Sequence, residues 1–164
     1  MKIYHGSYIQ VLAPEIRGSN RLLDYGNGFY TTTDSNQAVR FTEKFLRSGK
    51  SRIISVYEFD YDCAVKGSSM LEFSEANHDW LEYVVKNRSG NGIDNDFDIV
   101  IGPVANDRVY TVVESYELGD YTADEAINRL KTFKLTDQVV FKSPKALQYI
   151  IFVQAFTAGE VREI

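Results

Sequence analysis

A chain of 164 residues, 44% of them hydrophobic and 25% charged, has the size and balance of one soluble domain around a single core, which excludes disorder and membrane insertion. The net charge of −5 opposes unspecific binding to a phosphate backbone, so nucleic acid is not an expected partner, although a local basic cleft stays open. No apolar run reaches the roughly 18 residues of a membrane span, no secretion signal stands at the start, and the lone Cys63 offers neither disulfide nor zinc cluster; the expectation is a cytoplasmic protein of one domain, residues 1–164, without a metal.

In chain order, KIYH alternates as a short first strand that Gly6-Ser7 brings to an end, and a loop leads on through Pro14, Gly18, Asp24 and Gly26. GFYTTT, aromatic and β-branched, is the second strand. Asp34 is the N-cap of a helix over 35–47 that buries Ala38, Phe41 and Phe45 and stops at Gly49. Ile53 to Phe59 alternate as a central strand. Ser74 opens a helix through EANHDWLEYVVKNR, with Ala76, Trp80, Tyr83 and Val84 at helical spacing and an end near Ser89-Gly90. NRSGNGIDND is a polar loop, and the DIVIGP stretch is a buried strand cut by Gly102-Pro103. RVYTVVESYELG fits strand or helix; helix is favoured by the adjoining stretch, a capping box spelled by Thr122 and Glu125 ahead of a helix that buries Ala126, Ile127, Leu130 and Phe133. DQVVFK is a strand, Ser143-Pro144 starts a short helix through Tyr149, and IIFVQAFTA is the last strand. With no regular strand-helix rhythm, the pattern is α+β with mainly antiparallel pairing.

Phosphate-loop GxxxxGK, dinucleotide GxGxxG, zinc HExxH and nucleophile GxSxG spellings are absent. Of the two histidines, His78 lies on a helix as a surface or partly buried residue. His5 stands at a strand end beside a glycine, where backbone can approach a ligand and an imidazole can bond a hydroxyl. The 11 tyrosines and 10 phenylalanines serve packing first and flat ligands second. Glu58, Asp98, Asp107 and Glu114 are carboxylates that could enter the cleft, with caps, turns or ion-pair partners as the plain alternative. Arg40 and Arg88 carry the fork that suits a diphosphate, with pairing of Arg88 to Asp98 or Asp107 as the plain alternative.

The histidine-glycine-serine strand end succeeded by GFYTT resembles the NAD-binding half of the ADP-ribosyltransferase superfamily, in the His, Tyr and Glu-type branch that includes the poly-ADP-ribose polymerases and diphtheria-type toxins. More narrowly, YHGS, LDYGNGFYTTTDSNQAVRF, SVYEFD, WLEYVVKNR, FDIVIGPVAND and DQVVFKSPKALQYIIF, over about residues 3 to 153, resemble the uncharacterised bacterial DUF3990 family, itself placed in that superfamily. The resemblance implies an ADP-ribosyltransferase-like split β-sandwich of mainly antiparallel strands with flanking helices. It also implies NAD as co-substrate and no metal. Gly6 would hold the nicotinamide carboxamide through its backbone, His5 would bond a ribose hydroxyl, and Ser7 would fix the same end. Tyr30 would stack on the nicotinamide, with Thr31 and Thr32 on the floor, Gly28 beside them, Tyr57 as a further wall and Arg88 toward the diphosphate.

In the polymerases a glutamate stands at the start of a late strand; here the matching residue is Gln138, so the implied catalytic set is His5, Tyr30 and Gln138. Breaking the nicotinamide-ribose bond builds positive charge on the sugar, which a carboxylate offsets and an amide does not. Asp137 beside it would point to the opposite sheet face. The departure disfavours polymer synthesis and leaves mono-ADP-ribosyl transfer to a macromolecular target, slow NAD cleavage, or NAD binding without turnover. A bacterial toxin or defence effector with a neutralising antitoxin partner is the setting the resemblance implies. The alternative is a catalytically inactive binding module that recognises a nucleotide or a protein partner.

Overall fold

The computed structural model describes residues 1–18, 22–90 and 97–159, and of Asp107 the backbone alone. The strands are β1 (Lys2–Ser7), β2 (Phe29–Thr32), β3 (Ile53–Phe59), β4 (Met70–Glu72), β5 (Ile99–Pro103), β6 (Asp137–Phe141) and β7 (Ile150–Thr157). The helices are α1 (Ser35–Phe41), α2 (Tyr61–Gly67), α3 (His78–Arg88), α4 (Asp107–Glu117) and α5 (Ala123–Leu130), with 3-10 helices over Thr42–Ser48 and Pro144–Tyr149. The strands form one sheet in the order β4-β5-β6-β2-β1-β3-β7; β4 and β5 run parallel and the other neighbours antiparallel. The α+β class with mainly antiparallel pairing and flanking helices is thus as the sequence pattern implies.

The middle of the sheet is its weakest seam. β1 pairs with β3 from Lys2↔Glu58 to Ser7↔Ile53, and β2 with β6 from Phe29↔Phe141 to Thr32↔Gln138, but β1 and β2 meet only at Tyr4↔Thr32. Phe59 on β3 and Phe141 on β6 have β1 and β2 between their strands, a separation of about 14 Å across a flat sheet. Their ring centroids lie 5.2 Å apart, edge to face. The sheet therefore bends at the β1-β2 seam, and its two halves close on a shared core that includes Ile3, Phe29, Tyr57, Ile99 and Val139. The opposite face of the β4-β5-β6-β2 half carries α3, α4 and α5 over Trp80, Leu81, Val84, Val113, Ile127 and Leu130. α1 packs against β1 through Ala38.

Local chemistry explains where the elements depart from the pattern. β1 runs on through Gly6 and Ser7 because β3 supplies backbone partners that far. The helix behind β2 starts as expected, with the Asp34 carboxylate accepting from Asn36 N, but turns to 3-10 at Thr42 and ends at Gly49, whose φ of 63° suits glycine. Phe41 is not on its buried face: half of its surface is open. α3 begins at His78, later than the sequence pattern implies, because Asn77 rather than Ser74 accepts from Trp80 N as the cap. α2 and β4 have no counterpart among the elements expected from sequence; Asp60 caps the former by accepting from Cys63 N. The capping box of α5 forms as spelled, Glu125 N donating to Thr122 Oγ1 and Thr122 N to the Glu125 carboxylate. Most of the polar loop after α3 lies outside the described residues.

Candidate functional site

The β1-β2 seam opens into a cavity of about 540 Å³ lined by residues of β1, β2, β6, α1 and the β5-α4 loop. Its lining includes His5, Gly6, Tyr30, Thr31, Thr32 and Gln138, so three strands bring these positions together from distant parts of the sequence. Past Tyr4↔Thr32 the ladder between β1 and β2 stops, which leaves the Tyr30 carbonyl in need of a donor. The His5 ring takes that place, its Nδ1 lying 2.7 Å from Tyr30 O. A carbonyl only accepts, so Nδ1 carries the proton and Nε2 keeps its lone pair. Phe29 covers the imidazole at 4.5 Å between ring centroids. Burial lowers the His5 pKa, the bond to Tyr30 O opposes this, and the nearby Lys44 ammonium adds to the lowering. The ring is therefore a neutral acceptor at pH 7.

This state has a consequence for stability. A histidine whose folded pKa lies below its ordinary 6.5 binds fewer protons folded than unfolded, so stability is retained above pH 6.5 and falls as pH drops toward the folded value. The loss is at most about 1.4 kcal/mol per pH unit. Burial raises the pKa of Asp24 and Asp137, which slopes the other way. Thermal melts of wild type and His5→Gln across the acidic range separate the two: the variant lacks the His5 slope, and identical slopes would show that the ring does not titrate with folding.

Tyr30 is held at both ends. Its hydroxyl donates to Gly26 O at 2.6 Å and accepts from Tyr25 N at 3.1 Å, and burial raises its pKa, so it remains a phenol that anchors the preceding loop. Thr31 and Thr32 donate to the Val139 and Asp137 carbonyls of β6, so their hydroxyl protons serve the sheet. Gln138 is 6% exposed, and its amide is oriented by a chain of donors. The Trp80 indole N–H, which can only donate, bonds Tyr25 Oη at 2.8 Å; Tyr25 Oη must then donate to Pro103 O at 3.0 Å. Pro103 O also accepts from Gln138 Nε2 at 3.3 Å, which turns the amide oxygen away from that carbonyl.

Gly6 has a structural reason to be glycine. A Cβ there would stand 2.6 Å from Ala38 O and 2.9 Å from Thr42 Cγ2, so the absent side chain lets α1 lie directly on β1. The same close packing carries Gln37, Arg40 and Phe41 to the cavity wall. Phe41 and Asp24 were not singled out by the sequence pattern as site residues. Phe41 sat on the predicted buried face of a longer helix, and Asp24 in a loop without periodicity. The signal that finds them is spatial: both line the cavity.

Other expected site residues lie elsewhere. Arg88 does not reach Asp98 and is not in the cavity lining; its guanidinium pairs with Asp24 at 2.5 Å, both side chains being about one-seventh exposed, and stacks 4.2 Å from the Tyr110 ring. It therefore acts behind the wall, through Asp24. Burial pushes the Asp24 carboxyl up against the opposing pull of Arg88. Tyr57 is fully buried in the core between the half-sheets, against Phe29 and Phe152, and donates to Val11 O at 2.6 Å, so it forms no cavity wall. Gly28 is pressed against β6, where a Cβ would meet Val140 Cγ1 at 2.6 Å, and Ser7 closes the end of β1; neither lines the cavity. Asp137 lines a separate groove beside Glu75 and Lys131. Asp98 accepts from Ser143 Oγ and Ser69 N, Glu58 pairs with the N-terminal ammonium, and the Asp107 side chain lies outside the described residues. His78 is exposed and pairs with Asp124. Among the described residues no cluster of metal-ligating side chains occurs, and no helix is long and apolar enough to cross a membrane.

No curated protein and no solved structure matches the chain. One family, described as a protein of unknown function, DUF3990, matches residues 1–152. With a match over nearly its whole length, the chain belongs to the DUF3990 family.

Proposed function

We propose that the cavity binds NAD and that the protein transfers a single ADP-ribose unit from it to a macromolecular acceptor, on an ADP-ribosyltransferase-like split β-sandwich. The observation that carries this reading is the convergence of His5, Tyr30 and Gln138, from β1, β2 and β6, on one cavity whose volume is that of a small-molecule site. The bent sheet supports it, because the two half-sheets part where the cavity lies. In this reading His5 accepts from a ribose hydroxyl through Nε2, and the Gln138 amide oxygen accepts from another. The nicotinamide lies against Tyr30. Arg40, which lines the cavity, meets the diphosphate in place of Arg88, which Asp24 already holds. The bond from nicotinamide nitrogen to the ribose breaks with its electron pair leaving on that nitrogen; the acceptor nucleophile then bonds the ribose carbon and loses its proton. Charge on the sugar meets Asp24 only as the negative end of its pair with Arg88, while Gln138 orients.

Calorimetric titration of NAD tests the reading. Tyr30→Phe keeps the ring and binds within about threefold of wild type, whereas Tyr30→Ala loses a contact of roughly 1 kcal/mol together with the loop tether and weakens binding about tenfold. Absence of binding to wild type at millimolar NAD would sink the proposal. The uncharged, backbone-tied Gln138 favours a second reading, a module that binds a nucleotide without turnover. Nicotinamide release on prolonged incubation with NAD and lysate separates the two: release supports the transferase, and binding without release supports the module.

A further inference from the structure

We infer that the surface leaving the cavity along the 3-10 helix Thr42–Ser48 is a docking site for single-stranded nucleic acid. This would make a nucleotide strand the acceptor class; the acceptor role rests on the transferase reading above, and the docking does not.

The first observation is charge. Five of the chain's 18 lysines and arginines fall within residues 40–52, where Glu43 is the one acidic residue, although acidic residues outnumber basic ones, 23 to 18, over the chain. The second is geometry. The Lys44 ammonium lies 3.4 Å from the Phe41 ring centroid and 5.1 Å from that of Phe45. Phe45 meets Tyr8 edge to face at 5.6 Å, and the Lys50 ammonium lies 4.4 Å from the Tyr8 ring. Rings and cations thus alternate in one connected run that begins at the cavity, since Phe41 lines it. The rings are open to solvent, Phe41 at 50% and Tyr8 at 44%. Arg52 is turned inward, donating to Thr42 Oγ1 and Val39 O, and so fastens the segment rather than facing outward.

A flat ring at the surface beside a cation is the arrangement that holds unstacked bases while the chain tracks the phosphates. An acidic protein surface would satisfy the cations but gives no role to open aromatic faces. A duplex keeps its bases stacked and cannot use them. When a base takes the ring face, the lysine above it moves to the flanking phosphate. The net negative charge of the remainder confines the strand to this face.

Fluorescence anisotropy with a labelled oligothymidylate, and with its RNA counterpart, tests the site without NAD. Neutralising about three phosphates gives a slope of log K against log salt near −2. Lys44→Glu with Lys50→Glu flattens that slope and weakens binding at least about tenfold, given loss of two such contacts. Tyr8→Leu keeps the packing on Phe45 but removes the flat face, and weakens binding about fivefold or more with the slope unchanged. Thermal melts check that both variants fold. Absence of binding to either strand at low salt overturns the inference; so does a polyglutamate peptide that binds as well as the oligonucleotides while Tyr8→Leu is silent, which would assign the surface to an acidic protein. NAD titration of the same samples keeps the proposals apart, since oligonucleotide binding without NAD binding removes only the transferase reading, and the reverse removes only the docking.

Discussion

Asp24→Ala is expected to lower the unfolding free energy by about 3–5 kcal/mol, because it leaves the Arg88 guanidinium buried without its counter-charge. Asp24 and Arg88 are 13% and 14% exposed and meet at 2.5 Å, so water cannot replace the lost carboxylate as it would at a surface pair. For a chain of this size that is a fall in melting temperature of roughly 10 °C or more. The effect reaches beyond one contact. Asp24 also accepts from the Ala105 backbone, so its carboxylate ties the loop before β2, the end of α3 and the β5-α4 loop around one side of the cavity. Replacing both members, Asp24→Leu with Arg88→Met, removes the stranded charge and is expected to recover most of the stability, since apolar replacement of a buried pair is often neutral. It does not restore NAD binding if Asp24 serves the cavity. Calorimetric melts and NAD titration of the single and double variants check this; a single variant within about 1 kcal/mol of wild type would show that the pair is solvated in solution.

Much of the frame was legible in the sequence because it rests on local rules. The capping box at Thr122, the Asp34 cap, the alternation in β3 and the glycine stop at Gly49 are each decided by neighbours within a few residues. What escaped is decided by distant ones. β4 has three residues and exists because β5 offers it a parallel partner. Ser74 and Asn77 are both good caps, and the core position of Trp80 selects the second. The site divides along the same line. His5, Tyr30 and Gln138 were singled out through family resemblance, and the structure places all three on one cavity lining and adds what each is bonded to. The Asp24-Arg88 pair was not, because two charges far apart in sequence give no local signal, and Arg88 had nearer-looking partners. Phe41, the last residue of α1, was misplaced because helical spacing marks a face of the helix and not how far the sheet covers it; half of its surface stays open beside the cavity.

Gln138→Glu looks like the change that would supply a missing charge, and a restored general base or charge stabiliser is commonly worth about 10² to 10⁴ in rate. The geometry predicts the opposite. The Gln138 Nε2 donates to Pro103 O, which already accepts from Tyr25 Oη, and a carboxylate has no proton to offer there. The substitution sets a carboxylate oxygen against a carbonyl oxygen at a position 6% exposed. Either the glutamate takes up a proton, keeping the bond and losing the charge, or it stays ionised and pushes β5 from β6 where Gly102 pairs with residue 138. The expected result is a stability loss of about 1–3 kcal/mol at neutral pH. The loss shrinks in acid, where the glutamate protonates. Nicotinamide release is expected not to rise above wild type. Melting curves across pH read the first part, independent of any activity, and a release assay reads the second. A variant as stable as wild type and at least about a hundredfold faster would show that charge alone was lacking and that the Pro103 contact does not dictate the amide.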